Sequence, residues 1–236
     1  LSNDETSEPY ETKTLTAQTY AIDPVLDYGL IPLEHLTIGY MIYTDFVFRG
    51  NASLAQLNHV FQTLKAANID EFILDLRYNQ GGYIFAVKQL CSLLAPEEVV
   101  ENEELLIHKR WNKAYQERYA NDPDRLEEHF DKSVPLDSRL NLKRLWVITS
   151  HVTASASEML ISALSPYMKV NVVGDLTMGK NMGGIIYTPN DKDLQNWNIM
   201  LISTEYSNSR EESVKGGIPP MFPILEQFHH QHQLGD

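Results

Sequence analysis

The chain has 236 residues, a formal net charge of −13, 43% apolar residues and 22% charged residues. This composition is typical of one large globular domain, and the acidic balance without a Lys/Arg cluster argues against a nucleic-acid partner. The single cysteine, Cys91, excludes an intrachain disulfide, and no apolar run approaches the roughly 20 residues of a membrane-spanning helix.

The two ends of the chain are more polar than its middle. Residues 1–34 start with an acidic stretch that lacks the features of a signal peptide, and we interpret them as an N-terminal linker with an edge strand at 15–22. Residues 35–226 form the predicted folded domain, and 227–236 form a polar C-terminal tail. The histidine cluster of the tail is interpreted as solvated rather than metal-binding, so no metal is predicted; it consists of His229, His230 and His232.

Strands and helices alternate along the predicted domain. From the apolar periodicity, strands are expected at 35–46, 71–77, 105–109, 145–149 and 170–173, and helices at 53–67, 84–95 and 157–167. The alternation is typical of crossover units with parallel strands, so 71–77, 145–149 and 170–173 should share one sheet covered by helices. Two further strand-like runs around a polar turn at 189–196 predict a C-terminal hairpin.

Two loops and one turn of this pattern carry candidate functional residues. The paired glycines Gly81 and Gly82 follow the strand 71–77, and a hydroxyl-rich loop at 153–157 precedes the helix 157–167. A helix N-terminus offers unpaired N–H groups and a positive dipole end to a developing oxyanion. Lys180 ends the turn after the next strand. Helix caps, a tight turn and a solvated lysine explain the same residues, and composition alone does not choose among the hydroxyls.

Three motifs occur in a fixed order along this framework: LDLRYNQGG at 74–82, TASASE at 153–158 and GDLTMGK at 174–180. A late GIPP loop follows at 217–220. With these motifs the chain resembles the carboxyl-terminal processing peptidases, also called tail-specific proteases. The resemblance covers roughly residues 38–223, and residues 35–226 therefore resemble their catalytic domain.

The resemblance implies an α/β fold of the crotonase and Clp-peptidase kind, a ββα sheet core with flanking helices and a C-terminal hairpin. It implies a serine endopeptidase in which Ser155 is the nucleophile and Lys180 the general base. The N–H groups of Gly81 or Gly82 and of Ala156 are the implied oxyanion hole. No cofactor is implied, the implied substrate is a protein or peptide with an apolar, unstructured C-terminus, and the implied location is the bacterial cell envelope, periplasmic or lipid-anchored.

The chain departs from this family at two positions. Gly184 stands where many relatives have a glutamine that orients the lysine, and Pro166 stands where many have an aspartate. A PDZ module, common among the relatives, is not recognisable in the sequence. The natural substrate, any upstream segment and the oligomeric state are not predicted.

Two other functions share the same fold. One is a non-catalytic binding module for apolar ligands or peptides, which has no need of a serine–lysine pair. The other is a crotonase-like acyl-CoA enzyme, which needs a basic phosphate-binding patch that this acidic sequence does not contain.

Lysine has a further requirement as a general base. Its amine has a pKa of roughly 10.4 in water, and burial is the means by which proteins lower such a value. We therefore expect Lys180 to be buried between the 153–157 loop and the sheet edge, with the nearby Asp175 directed elsewhere or bonded to backbone amides.

Overall fold

The computed structural model describes residues 13–14, 16–17, 23–47, 51–190, 192–194 and 196–224. The strands in this part of the chain are β1 (Val25–Pro32), β2 (Thr37–Tyr43), β3 (Glu71–Asp75), β4 (Leu105–Trp111), β5 (Glu127–His129), β6 (Arg144–Thr149), β7 (Lys169–Gly174), β8 (Met182–Tyr187), β9 (Ile199–Asn208) and β10 (Phe222–Pro223). The helices are α1 (Asn51–Ala66), α2 (Ile84–Leu94), α3 (Glu97–Glu101), α4 (Lys113–Arg118), α5 (Pro123–Leu126) and α6 (Ala156–Leu164).

The main sheet has six strands in the order β1-β2-β3-β6-β7-β10. The pairs from β2 to β10 are parallel, and only β1 is antiparallel to its neighbour. Phe72, Leu74, Leu145 and Val147 are fully buried in β3 and β6, as expected for central parallel strands. The prediction that β3, β6 and β7 lie in one sheet is therefore confirmed.

One apolar core joins this sheet to α1, α2 and α6. Helix α1 contributes Leu57, Phe61 and Leu64 to it, and α2 contacts α6 directly. Cys91 lies fully buried within α2, where burial raises the pKa of its thiol. The main sheet and its helices thus provide a rigid base for the loops at the sheet edge.

A second, antiparallel sheet has the order β5-β4-β9-β8. Its β8 and β9 are paired as a hairpin, which confirms the predicted C-terminal hairpin. Gly184, the first of the two departures, lies in β8, and a side chain on it would clash with the backbone of Leu201.

Several boundaries differ from the predicted ones. Strand β1 begins at Val25, whereas the predicted edge strand at 15–22 falls mostly outside the described residues. Only Val25 of β1 is buried, so the strand carries no alternating apolar pattern that would reveal it. The predicted polar tail 227–236 with its histidines also lies outside the described residues. No described helix has the length and apolarity needed to cross a membrane.

Candidate active site

Three loops meet at one edge of the main sheet because the parallel strands β3, β6 and β7 all end there. Hydrogen bonds connect each loop to the next. The N–H of Ala154 donates to the carbonyl of Asn79 at 3.1 Å, and the N–H of Met178 donates to the carbonyl of Thr153 at 3.0 Å. The buried Thr153 hydroxyl donates to the carbonyl of Leu76 at 2.8 Å. The motifs that are far apart in sequence therefore form one continuous surface.

Ser155 lies at the turn from β6 into α6, in an unusual backbone conformation. Its φ is 57° and its ψ is −114°, in a region that L-residues rarely occupy. Strain of this kind is concentrated at functional sites, and a nucleophile raised on a sharp strand-to-helix turn is one of its recurrent forms. The next residue, Ala156, opens α6, so its N–H has no acceptor within the helix.

The glycine loop contacts this turn directly. Gly81 has a φ of +103°, and a Cβ on it would lie 2.7 Å from the Cβ of Ser155 and 2.8 Å from the N of Ala156. Gly81, Ser155 and Ala156 are therefore in contact, as the predicted site requires. The N–H of Gly81 donates to the side chain of Asn79 at 2.9 Å, so it is already engaged.

Gly82 is placed differently from Gly81. It packs against the backbone of Phe46, and a Cβ on it would clash with the Phe46 carbonyl oxygen. No acceptor for its N–H is found among the described residues. The two glycines thus have distinct surroundings. Gly81 packs closely against Ser155, and the N–H of Gly82 has no acceptor among the described residues.

Lys180 ends the turn that follows β7. Thr177 fixes this turn to the 217–220 loop, because its N–H donates to the carbonyl of Ile218 at 3.3 Å and its hydroxyl accepts from the Ile218 N–H at 2.7 Å. Ser155 and Lys180 line one small cavity between α6 and β9, together with Met159, Tyr206 and other side chains. The structure therefore brings the predicted serine and lysine to the same cavity.

The Lys180 side chain is exposed, contrary to the burial expected from the sequence. Asp175 is directed elsewhere, as expected: its carboxylate accepts the N–H of Leu176 at 2.7 Å and lies 4.0 Å from His151. No ion pair between Asp175 and Lys180 is present in the described part of the chain.

Glu158 was not predicted as a site residue. Its side chain is fully buried in the first turn of α6. The carboxylate accepts four hydrogen bonds, from the backbone N–H groups of Ser155, Gly179 and Lys180 and from the hydroxyl of Thr177. Its spacing of three residues after Ser155 matches a capping box, and this signal could have identified it.

A second hydrogen-bonded network lies at the end of β3, before the glycine loop. Arg77 donates to both carboxylate oxygens of Asp75, and the Tyr40 hydroxyl donates to the same carboxylate at 2.9 Å. Burial, followed by the charge of Asp75, raises the pKa of Tyr40.

Pro166, the second departure from the family, accepts a hydrogen bond from Arg210 through its backbone carbonyl. No group of side chains suited to a metal ion is found among the described residues.

The family model "Peptidase family S41" matches residues 37–223. A carboxyl-terminal-processing protease of Synechocystis sp. is 25% identical over 169 residues, which cover 72% of this chain and 34% of that protein. A Bacteroides fragilis structure assigned to the S41 proteases has a TM-score of 0.77 and 26% identity, over 89% of this chain and 52% of that one.

The photosystem II D1 C-terminal processing protease has a TM-score of 0.62 and 19% identity, over 88% of this chain and 50% of that one. These likenesses confirm the predicted α/β fold and the predicted family resemblance. The chain spans about a third of the length of the curated relative and about half of each of the two structures.

Proposed function

Because the chain belongs to peptidase family S41, we propose that it is the catalytic part of a serine endopeptidase that processes the carboxyl-terminal ends of proteins or peptides. The names of the Synechocystis relative and of the photosystem II D1 protease support the substrate class. We propose Ser155 as nucleophile and Lys180 as general base.

One observation carries this assignment. Ser155 is held at a positive φ at the start of α6, against Gly81 and beside the unpaired N–H of Ala156, and it lines the same cavity as Lys180. A helix cap has no need of a strained backbone, since ordinary N-caps have β-region dihedrals. The strain is explained if the turn serves to present the hydroxyl to a ligand.

The proposed reaction has two halves. In the first, the Ser155 Oγ attacks the carbonyl carbon of a peptide bond while the neutral Lys180 amine takes the hydroxyl proton. The resulting ammonium then gives its proton to the leaving amine, the C–N bond breaks and an acyl-enzyme remains. In the second, Lys180 takes a proton from water, the hydroxide attacks the ester carbonyl, and Ser155 recovers its proton as the acid leaves.

Two backbone N–H groups are available to stabilise the oxyanion of each tetrahedral intermediate. Ala156 supplies the first, from the N-terminus of α6. Of the paired glycines, Gly82 is the one whose N–H has no acceptor among the described residues, because the N–H of Gly81 is bonded to Asn79. We propose Ala156 and Gly82 as the donors, with Gly81 allowing the loop to approach Ser155.

The exposure of Lys180 adds a condition to this mechanism. A general base acts in its neutral form, and contact with water favours the charged form of an amine. We propose that the bound substrate covers the lysine and completes the site. The same exposure is the observation that favours the alternative, a non-catalytic module that binds apolar ligands or peptides.

Side-by-side proteolysis by the wild type and the Ser155→Ala variant tests the proposal. The substrate is an unstructured peptide with an apolar C-terminus, and a fluorophosphonate probe reports a reactive serine by intact mass. We expect cleavage and a single covalent adduct on Ser155 in the wild type, and neither in the variant. Ser165→Ala is the matched control, because that hydroxyl lies at the far end of α6 and donates only to the Ser162 carbonyl.

Two results would reject the proposal. One is a wild type that binds the peptide without cleaving it, which would establish the binding module. The other is cleavage that persists in the Ser155→Ala variant.

A further inference from the structure

A single buried carboxylate connects the segments that carry the proposed nucleophile and base. The Oε2 atom of Glu158 accepts the N–H of Ser155 and the N–H of Lys180, both at 2.8 Å. Its Oε1 atom accepts the N–H of Gly179 at 2.5 Å and the hydroxyl of Thr177 at 2.6 Å. The Glu158 side chain is completely excluded from solvent.

The chemistry of this arrangement differs from that of an ordinary buried ion. A carboxylate offers about four acceptor positions, and here four donors occupy them. None of the donors is a cationic side chain, so the negative charge is balanced by peptide dipoles and by the N-terminus of α6. Hydrogen bonds to a charged acceptor are roughly twice as strong as neutral ones. The group is therefore satisfied and firmly held.

The donors belong to two segments, which are also joined by the hydrogen bond from the Met178 N–H to the Thr153 carbonyl. Ser155 lies between β6 and α6, whereas Thr177, Gly179 and Lys180 lie after β7. A capping box alone accounts for the bond to Ser155, but it does not account for the three bonds to the second segment. The shared oxygen Oε2 sets the backbone of Ser155 and the backbone of Lys180 at a fixed distance from each other.

We infer that Glu158 is a positioning residue that aligns the Ser155 turn with the Lys180 turn. This inference rests on the proposed function. It gives Glu158 no contact with the substrate and no role in proton transfer. Removing the carboxylate should therefore leave substrate binding intact and slow the chemical step, since displacements of about 1 Å in an active site cost about 10²-fold in rate.

The test compares Glu158→Gln with a matched substitution of the same type. Glutamine has one acceptor oxygen, so it can satisfy one side of the cluster and must oppose an amide N–H with its own NH₂ group on the other. Glu71→Gln is the control: Glu71 accepts bonds from Arg144 and Trp146 at the opposite end of β3. We expect a fall in kcat of about 10²-fold with KM within about threefold for Glu158→Gln, and kcat within about threefold for Glu71→Gln.

Amide hydrogen exchange provides a second readout that needs no activity. In the wild type, the amides of Ser155, Gly179 and Lys180 should be protected, and in Glu158→Gln exchange should accelerate at one or more of them and not across β3. If the variant does not fold, exchange in the wild type alone is measured: protected Ser155, Gly179 and Lys180 amides support the positioning role, and unprotected ones reject it.

The possible outcomes distinguish failure of the positioning role of Glu158 from failure of the proposed peptidase function. Wild-type kcat in a folded Glu158→Gln variant, an equal loss of kcat in Glu71→Gln, or unprotected Ser155 and Lys180 amides would overturn the positioning role. If the wild type cleaves no peptide, the proposed function fails, and the exchange measurement still decides whether Glu158 connects the two turns.

Discussion

Replacing Gly81 with alanine tests the contact between the glycine loop and the proposed nucleophile. The new methyl carbon would lie 2.7 Å from the Ser155 Cβ and 2.8 Å from the Ala156 N, whereas ordinary contacts begin near 3.4 Å. The loop and the turn must therefore separate by several tenths of an ångström. Alanine at a φ of +103° adds strain of about 1–3 kcal/mol.

The expected result is a large loss of activity in a variant that still folds. A shift of Ser155 approaching 1 Å should lower kcat/KM by about 10²-fold, which corresponds to about 2.7 kcal/mol of transition-state stabilisation. The assay is steady-state cleavage of the unstructured peptide, with urea unfolding to follow stability. Gly29→Ala is the control, because a Cβ at Gly29 in β1 meets no atom within 4 Å.

A folded Gly81→Ala variant with wild-type kcat/KM would refute the reasoning, since a contact of 2.7 Å with the Ser155 Cβ would then have no effect on turnover. Gly82 is less suitable for this test. A side chain there would strike the Phe46 carbonyl, so its cost would appear in folding as well as in catalysis.

The remaining predictions concern a base, an ion pair and a strained turn. Lys180→Arg should be inactive because arginine does not deprotonate, and peptide cleavage by the variant would exclude the assignment. Hydrogen bonding from Arg144 lowers the pKa of Glu71, so its contribution of about 1 kcal/mol should be present above pH ~4.3 and lost as pH falls further. Urea midpoints of the wild type and Glu71→Gln should therefore converge in acid, and a constant difference would contradict this. Ser155→Gly should be inactive yet more stable than Ser155→Ala by about 1 kcal/mol, because glycine tolerates the positive φ; equal unfolding midpoints would remove the strain argument.

The parts of the fold that sequence patterns predicted are those with strong local signals. Strands β3, β6 and β7 carry continuous apolar runs, and their order along the chain makes parallel pairing with crossover helices the natural arrangement. Once these strands are adjacent, their following loops must meet at one sheet edge. That is why Gly81, Ser155 and Lys180 are neighbours although about a hundred residues separate the first from the last.

The features that sequence patterns missed depend on contacts between distant segments. The spacing of Glu158 from Ser155 suggests a cap, but nothing local shows that three of its four donors come from residues 177–180. The exposure of Lys180 likewise depends on which elements cover the turn. Strand β1 is missed for a third reason: it lies at the sheet edge, and its side chains beyond Val25 are largely outside the core.

The groups proposed to react differ in burial from the groups that hold them in place. Ser155 is half-buried and Lys180 is exposed, whereas Thr153, Glu158 and Asn79 are buried and accept or donate bonds mainly to backbone. The buried groups therefore fix the backbone of the site and leave the lysine side chain free to adjust. Preorganised backbone donors need no rearrangement during the reaction. Under the proposed function, the task left to a bound peptide is therefore to cover Lys180.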